Sequence, residues 1–374
     1  YHGTQLLDRA DVEQLYHHKK LEPHTPRYHW IDTLFALCEV TSYAALVTAL
    51  EERGESYDPE RLFTDVRQAI DAAHADGSVY RNVTADLPRY LDRDPELPRT
   101  LHKLRSSGKK TFLLTNSPWS YTNTVMNYLL GDADGHYGSW QHYFDVVICA
   151  AKKPKWFADG TPFVERVGDE TRPAPGHLEK GRVYEGGGLK EFEERMGIAA
   201  GMKVLYVGDH IYGDILRSKK DSTWRTAFVI QELDQEVAAL ETSAHLRTRR
   251  RQLVEARPLF EDELRFYQHK FKELSKGDIG ENGRDERSRA KLEIERLRAQ
   301  LHELETEYEG LNAQHDSAFH PYWGSLLKEM NGLSIFGQQV DLYADVYMRR
   351  VSCLGAYSPT HFFRSPHDLM PHEI

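Results

Sequence analysis

Cysteine is scarce, at three in 374 residues, and Cys38, Cys149 and Cys353 are widely separated. No Cys-x-x-Cys or His-x-x-x-His spacing occurs despite 19 histidines. That excludes a disulfide framework and a thiolate or histidine zinc site, and it favours a reducing compartment. Cys38 and Cys149 stand in apolar runs and read as small core residues. No apolar run approaches the ~20 residues that cross a bilayer, so no membrane segment is expected. Positive charge is also short: 48 Lys+Arg face 58 Asp+Glu, a net charge of −10. An extended nucleic-acid surface is therefore disfavoured, although a local phosphate pocket is not. There is no internal repeat, and the Gly186-Gly187-Gly188 run lacks the Lys-Ser/Thr of a P-loop. One further absence matters later. No Asp-x-Asp pair follows an apolar strand: Asp92-Arg93-Asp94 adjoins a Pro-rich turn, and Asp132-Ala133-Asp134 lies in a Gly-flanked loop.

What the chain does have is a set of short apolar runs that end in chemistry. Val204 to Val207 is a strand closed by Gly208, followed by Asp209 and, five residues on, Asp214. Thr111 to Leu114 is another, ending in Thr115-Asn116-Ser117, and Phe144 to Ala150 a third, leading into Lys152-Lys153-Pro154. Strands alternating with helical stretches over 101–235 indicate an α/β fold with a parallel sheet. Ligands of such sheets bind beyond the carboxyl ends of the strands. Hydroxyls and amides for phosphoryl oxygens, a lysine for their charge and carboxylates for Mg²⁺ make up a phosphoryl-transfer site. Each piece alone reads as an ordinary strand end with an Asp cap; the ordered set is specific.

Taken with Val183-Tyr184-Glu185-Gly186-Gly187, Trp224-Arg225-Thr226, the long Gly208-Asp209-His210-Ile211-Tyr212-Gly213-Asp214-Ile215-Leu216-Arg217-Ser218-Lys219-Lys220 run and the tail Leu369-Met370-Pro371-His372-Glu373, these motifs resemble the HAD-like (haloacid-dehalogenase-like) phosphohydrolases. More narrowly, the chain is similar to the cytosolic purine 5′-nucleotidase group. The resemblance implies a Rossmannoid parallel sheet with helices on both faces, a helical cap subdomain and a long helical C-terminal extension. It implies a cytoplasmic enzyme that uses Mg²⁺ to hydrolyse the 5′-phosphate of IMP- or GMP-like nucleotides through an aspartyl-phosphate. Thr115, Asn116, Ser117 and Lys153 would bind phosphate, Asp209 the metal, and Asp214 would support the metal's outer ligands or bind it through water. The nucleophilic Asp-x-Asp pair is expected upstream of residue 1. Two other readings stand beside this one: a catalytically silent nucleotide-binding or scaffold relative, and a phosphatase for another small phosphomonoester.

Four regions are expected. Residues 1–100 are a helical cap and substrate-recognition region, 101–235 the catalytic core, 236–315 a charged helical hairpin and 316–374 a segment packing back on the core. The Gly/Pro/Glu-rich stretch Asp159 to Arg182 reads as a surface loop, Gly277 to Arg284 as a hinge, and Lys219-Lys220 as a helix stop facing the negative helix end. In the first region Arg67, Asp71 and His74 share one helical stripe, which spacing alone reads as an exposed ion pair. The family resemblance assigns them instead, with Phe35 as a stacking ring, to the purine base. Tyr80 stands where the family has a lysine, and Leu342 where it has the arginine of an allosteric nucleotide site. Homo-oligomerisation through the charged helices is a further expectation drawn from the family.

Overall fold

The computed structural model describes residues 1–17, 22, 25, 27–131, 137–198, 204–276, 280–329, 332–365, 370 and 372. The Asp132–Asp134 loop, residues 277–279 of the expected hinge, and Leu369, Pro371 and Glu373 of the tail motif lie outside them. Two units form: residues 1–231 with 335–374, and residues 232–334. Among the described residues no helix is long and apolar enough to cross a membrane.

The strands are β1 (Phe112–Leu114), β2 (Val146–Cys149), β3 (Thr161–Val167), β4 (Glu170–Pro173), β5 (Val183–Gly187), β6 (Leu205–Gly208), β7 (Arg225–Val229), β8 (Lys328–Glu329), β9 (Gly332–Leu333) and β10 (Val346–Met348). In the larger unit they make two sheets, in the orders β1-β2-β5-β3-β4 and β10-β7-β6. β1, β2 and β5 run parallel, with Leu114 opposite Ile148 and Cys149 opposite Glu185. β6, β7 and β10 are parallel as well. β3 is antiparallel to both β4 and β5. The fold is therefore α/β with a mixed sheet, which corrects the expected purely parallel one.

The antiparallel part lies within the stretch expected to be a loop. Charge disguised it. In β3, Phe163 and Glu165 both point inward: Phe163 is buried in an aromatic cluster, while Glu165 is enclosed by Arg172 (2.9 Å) and Arg182 (2.8 Å). A buried carboxylate held by two guanidiniums replaces the apolar residue that the alternation would have needed.

β2 shows why the core runs read so plainly. Val146 and Ile148 face a cluster that includes Trp156, Leu189, Phe192 and Trp224. Val147 and Cys149 face another with Leu101, Leu130 and Trp140. Leu189 and Phe192 come from helix Leu189–Met196 on one side, and Leu101 and Leu130 from helices Glu96–Ser106 and Trp119–Leu130 on the other. A strand covered on both faces must be apolar at every position. Full burial also pushes the Cys149 thiol up to about 11, so it stays protonated and inert. Cys38, expected in the core, is exposed.

The first hundred residues are helical, as the sequence indicated. Helix Pro59–Ala75 starts where Asp58 accepts from the Arg61 amide (2.8 Å), with Pro59 in the first turn.

Lys219 and Lys220 stand in the last turn of helix Arg217–Asp221, and Lys219 has a second task. It reaches 2.6 Å to Asp345, whose side chain is fully enclosed and also takes Arg225 (2.8 Å) and the Thr226 amide (2.8 Å). Burial alone would raise the Asp345 pKa, but Lys219, the Thr226 amide and Arg225 outweigh it and hold the carboxyl below its usual range. Its stabilisation is therefore present above the unfolded-state carboxylate pKa, and is lost as pH falls through the depressed folded-state value. Asp345→Asn should cost roughly 3 kcal/mol at neutral pH. In thermal melts followed by circular dichroism, the gap from the parent protein should close below about pH 4.

In the second unit, helices Ala244–Glu273 and Gly280–Asp316 pair antiparallel, with Arg249 meeting Glu307 (2.6 Å) at one end and Lys270 meeting Glu286 (3.6 Å) at the other. Leu246, Leu253, Ala290, Ile294 and Leu297 are buried. Residues 280–284, expected in a hinge, are helical, and Glu281 suits the positive N-terminal end of that helix. Residues 316–334, expected with the C-terminal segment, belong to this unit.

Candidate active site

Three loops meet beyond the carboxyl ends of β1, β2 and β6. After β1 the ladder continues one residue, with the Thr115 amide donating to Ile148 O (2.9 Å) and the Ala151 amide to Thr115 O (3.0 Å). The chain then turns, and the Thr115 hydroxyl oxygen accepts from the Ser117 amide (3.1 Å). Asn116 clasps the next loop. Its Oδ1 accepts from the Lys153 amide (2.6 Å), and its Nδ2 donates to Lys153 O (2.9 Å). Asn116 was expected to serve phosphate through nearby backbone amides; its side chain is committed to the Lys153 backbone, which leaves the main chain for an anion. Around Lys153 the backbone is strained: Ala150 and Lys152 hold φ of 44° and 62°. Such left-handed conformations cost about 1 kcal/mol or more for a side-chain-bearing residue, and they concentrate at functional sites.

The Lys153 ammonium extends to Asp214 Oδ1 at 2.7 Å, with both side chains largely buried. Tyr206, from β6, donates its hydroxyl to the same oxygen (2.9 Å), and Lys153 lies 3.2 Å from the phenol. Burial, with the Asp214 charge adding to it, pushes the Tyr206 pKa well above the usual phenol range, so the phenol remains a donor.

Asp214 reaches this position through an unusual turn. Residues Ile211–Leu216 form a π-helical turn in which the Asp214 and Ile215 amides both donate to His210 O (2.9 and 3.2 Å). A widened turn of this kind re-aims a side chain, and it is common at functional sites. Gly208 makes room: a Cβ there would sit 2.5 Å from Asp214 Cβ and 2.9 Å from Oδ2. A glycine is thus required by close approach, not by its dihedral angles.

Solvent reaches Asp209, yet protein crowds its carboxylate. Desolvation, then the neighbouring Asp214 charge, raises its pKa, with Lys153 opposing. Among the described residues no cation forms an ion pair with it. A crowded carboxylate beside a second one, without its own counter-charge, suits a hard divalent cation, which needs one or two carboxylates plus water and substrate oxygens. Among the described residues no cluster of three or more His, Cys, Asp or Glu is arranged to hold a metal; Asp209 and Asp214 are a neighbouring pair of carboxylates.

The residues expected to recognise the base lie on the helices of the first hundred residues and just before one of them. Phe35 stacks on His210 (5.0 Å, 23°) and is 53% exposed, so its other face is open. His210 Nδ1 accepts from the Tyr212 and Gly213 amides, which places the proton on Nε2. Arg67 lies 3.8 Å from Glu39, one turn along the helix that Phe35 precedes. His74 bonds its own helix at Ile70 O (2.8 Å), and Arg67, Asp71 and His74 are all exposed. Tyr80 packs on Tyr121 (4.5 Å).

Residues 1–374, the whole chain, match the 5′ nucleotidase family. The chain belongs to that family. A 5′-nucleotidase domain-containing protein of Dictyostelium discoideum is 30% identical over 387 residues, covering 100% of this chain and 60% of that relative. The chain thus spans about three-fifths of the length of that curated relative.

For a 5′ nucleotidase family member, the sequence reading missed two contributors. Tyr206 looked like one more apolar strand residue; only its alternation with Leu205 and Val207 hinted that it faced Asp214. Tyr212 donates to Asp32 (2.6 Å) and accepts from Gln339 (2.7 Å), tying the segment before Phe35 and helix Ile335–Tyr343 to the turn that carries Asp214.

Proposed function

We propose that this protein hydrolyses the 5′-phosphate of purine nucleoside monophosphates with Mg²⁺, as a cytoplasmic member of the HAD-like phosphohydrolases. The observation that carries the reading is the convergence of the Asn116–Lys153 clasp and the Lys153–Asp214 ion pair on one point beside Asp209. Lys153 offsets phosphoryl charge. Thr115, Ser117 and the main chain at Asn116 donate to phosphoryl oxygens. Asp209 holds the cation, and Asp214 supports it from the side. Bound there, Mg²⁺ supplies charge neutralisation and orientation of the phosphate. Phe35 offers a flat face to the base, and Arg67, Asp71 and His74 present donors and acceptors suited to a 6-oxopurine edge.

The attacking carboxylate comes from an Asp-x-Asp strand outside residues 1–374. The two sheets of the larger unit support this. β1 ends one and β6 ends the other, both run with their carboxyl ends at the site, and the rings of Phe112 on β1 and Tyr206 on β6 stack at 6.4 Å. A parallel strand pairing with both edges would place its last residues beside Lys153 and Asp209. The first Asp attacks phosphorus, the P–O5′ bond breaks, and the second Asp protonates the departing nucleoside oxygen. Water then hydrolyses the acyl phosphate, releasing phosphate and restoring the carboxylate.

The test is phosphate release by the full-length protein from IMP, GMP, AMP and sugar phosphates, with Mg²⁺ and with EDTA. Metal-dependent release with 6-oxopurine nucleotides ahead is expected. Faster release from sugar phosphates would replace the nucleotide assignment, and no release from any substrate would leave a silent relative.

A further inference from the structure

Asp214 divides its two oxygens between two tasks, and Tyr206 enforces the division. Oδ1 takes both Lys153 Nζ (2.7 Å) and the Tyr206 hydroxyl (2.9 Å). Oδ2 makes no hydrogen bond among the described residues, and it lies against Gly208, the neighbour of Asp209. Tyr206 cannot wander: it is 4% exposed and boxed by Phe157 (5.4 Å, edge-on), Trp224 (5.9 Å) and Phe112 (6.4 Å, stacked). Lys153, by contrast, is a flexible side chain that must also serve the phosphate. A carboxylate held by lysine alone could swivel to give either oxygen to the ammonium.

We propose that Tyr206 is a positioning residue: its hydroxyl fixes the Asp214 carboxylate so that Oδ2 stays turned toward Asp209, ready for a water of a hydrated divalent cation, whether or not Lys153 is engaged with phosphate. The inference rests on the metal assignment above and adds to it a residue that touches neither substrate nor cation. When a phosphoryl group draws Lys153 away, Asp214 keeps one fixed donor. Cation binding and phosphate binding are then not forced to compete for the same carboxylate orientation.

Tyr206→Phe in the full-length protein tests this, because it removes only the hydroxyl and leaves the ring in its box. Two readouts are needed: the Mg²⁺ concentration giving half-maximal phosphate release at saturating nucleotide, and Mg²⁺ binding by titration calorimetry without nucleotide. Both should weaken about ten-fold, the scale of one hydrogen bond to a charged group, with the KM for nucleotide changing by less than about three-fold. Phe157→Leu is the control: it loosens the box and leaves the donor, so it should lower the melting temperature with little change in Mg²⁺ affinity. A purely structural tyrosine predicts the opposite pattern, with Tyr206→Phe melting lower while both Mg²⁺ readouts stay at the parent value; that result overturns the proposal and leaves the metal assignment standing. Should Tyr206→Phe not fold, Phe157→Leu decides: a Mg²⁺ loss as large there means that packing, not the hydroxyl, sets the affinity, and the proposal falls. A parent protein that binds no Mg²⁺ in either assay overturns the proposal and the metal assignment together.

Discussion

Lys153→Met should reduce kcat for nucleotide hydrolysis by about 10²–10³-fold, the loss seen when one preorganised charge-stabilising donor is removed from a water-poor site. The ammonium has no substitute nearby: among the described residues it is the only cation in ion-pair contact with the site carboxylates. Methionine keeps the length and bulk, and the backbone clasp by Asn116 does not involve the side chain, so the loop should hold its course. The same variant should also lose stability, because Asp214 is left buried without a counter-charge, a situation that costs several kcal/mol. The two effects can be separated. Adding Asp214→Asn to Lys153→Met should restore much of the lost melting temperature while activity remains absent, since the two residues are directly coupled. Steady-state kinetics and thermal melts on both variants provide the check; turnover within three-fold of the parent for Lys153→Met would remove the lysine from the mechanism.

Asp209→Asn should abolish metal-dependent turnover, by roughly 10³-fold or more, and do so without harming the fold. The carboxylate is crowded and forms no ion pair among the described residues, and its charge is disfavoured by desolvation and by Asp214. A neutral amide of the same shape relieves that penalty. In EDTA at neutral pH the variant should therefore melt at the same temperature as the parent or higher, and added Mg²⁺ should raise the parent's melting temperature but not the variant's. A lower melting temperature together with retained activity would mean that Asp209 is a structural cap, the ordinary role of an Asp after a strand.

How far the sequence disclosed these features depended on burial and on partners. β1, β2 and β6 were legible because strands covered on both faces show as continuous apolar runs, and because their ends carry Thr115, Lys153 and Asp209 in order. β3 and β4 were not, since the inward position at Glu165 is charged and its neutralising arginines lie 7 and 17 residues further along the chain. Lys219 was legible at a helix end but not as an ion-pair partner, for the same reason: Asp345 is 126 residues away. Asn116 was legible as a site residue, but not as the clasp on Lys153. A short polar triplet after a strand says that hydrogen bonds are wanted there and leaves open with whom. The stripe Arg67, Asp71 and His74 was visible from helical spacing, but the meeting of Arg67 with Glu39 depends on how two helices pack.

β1 ends one sheet and β6 ends the other, and on the proposed mechanism the strand that carries the nucleophile pairs with both. A single strand laid between those edges would complete the hydrogen-bonding of both halves and deliver the reacting group in the same event. On the proposed mechanism, catalytic competence would then track how well that strand is seated against both edges. A lesion that only loosens the seam would register as a smaller active fraction rather than as a slower enzyme, and titration of active sites would reveal it where rate measurements on bulk protein would not.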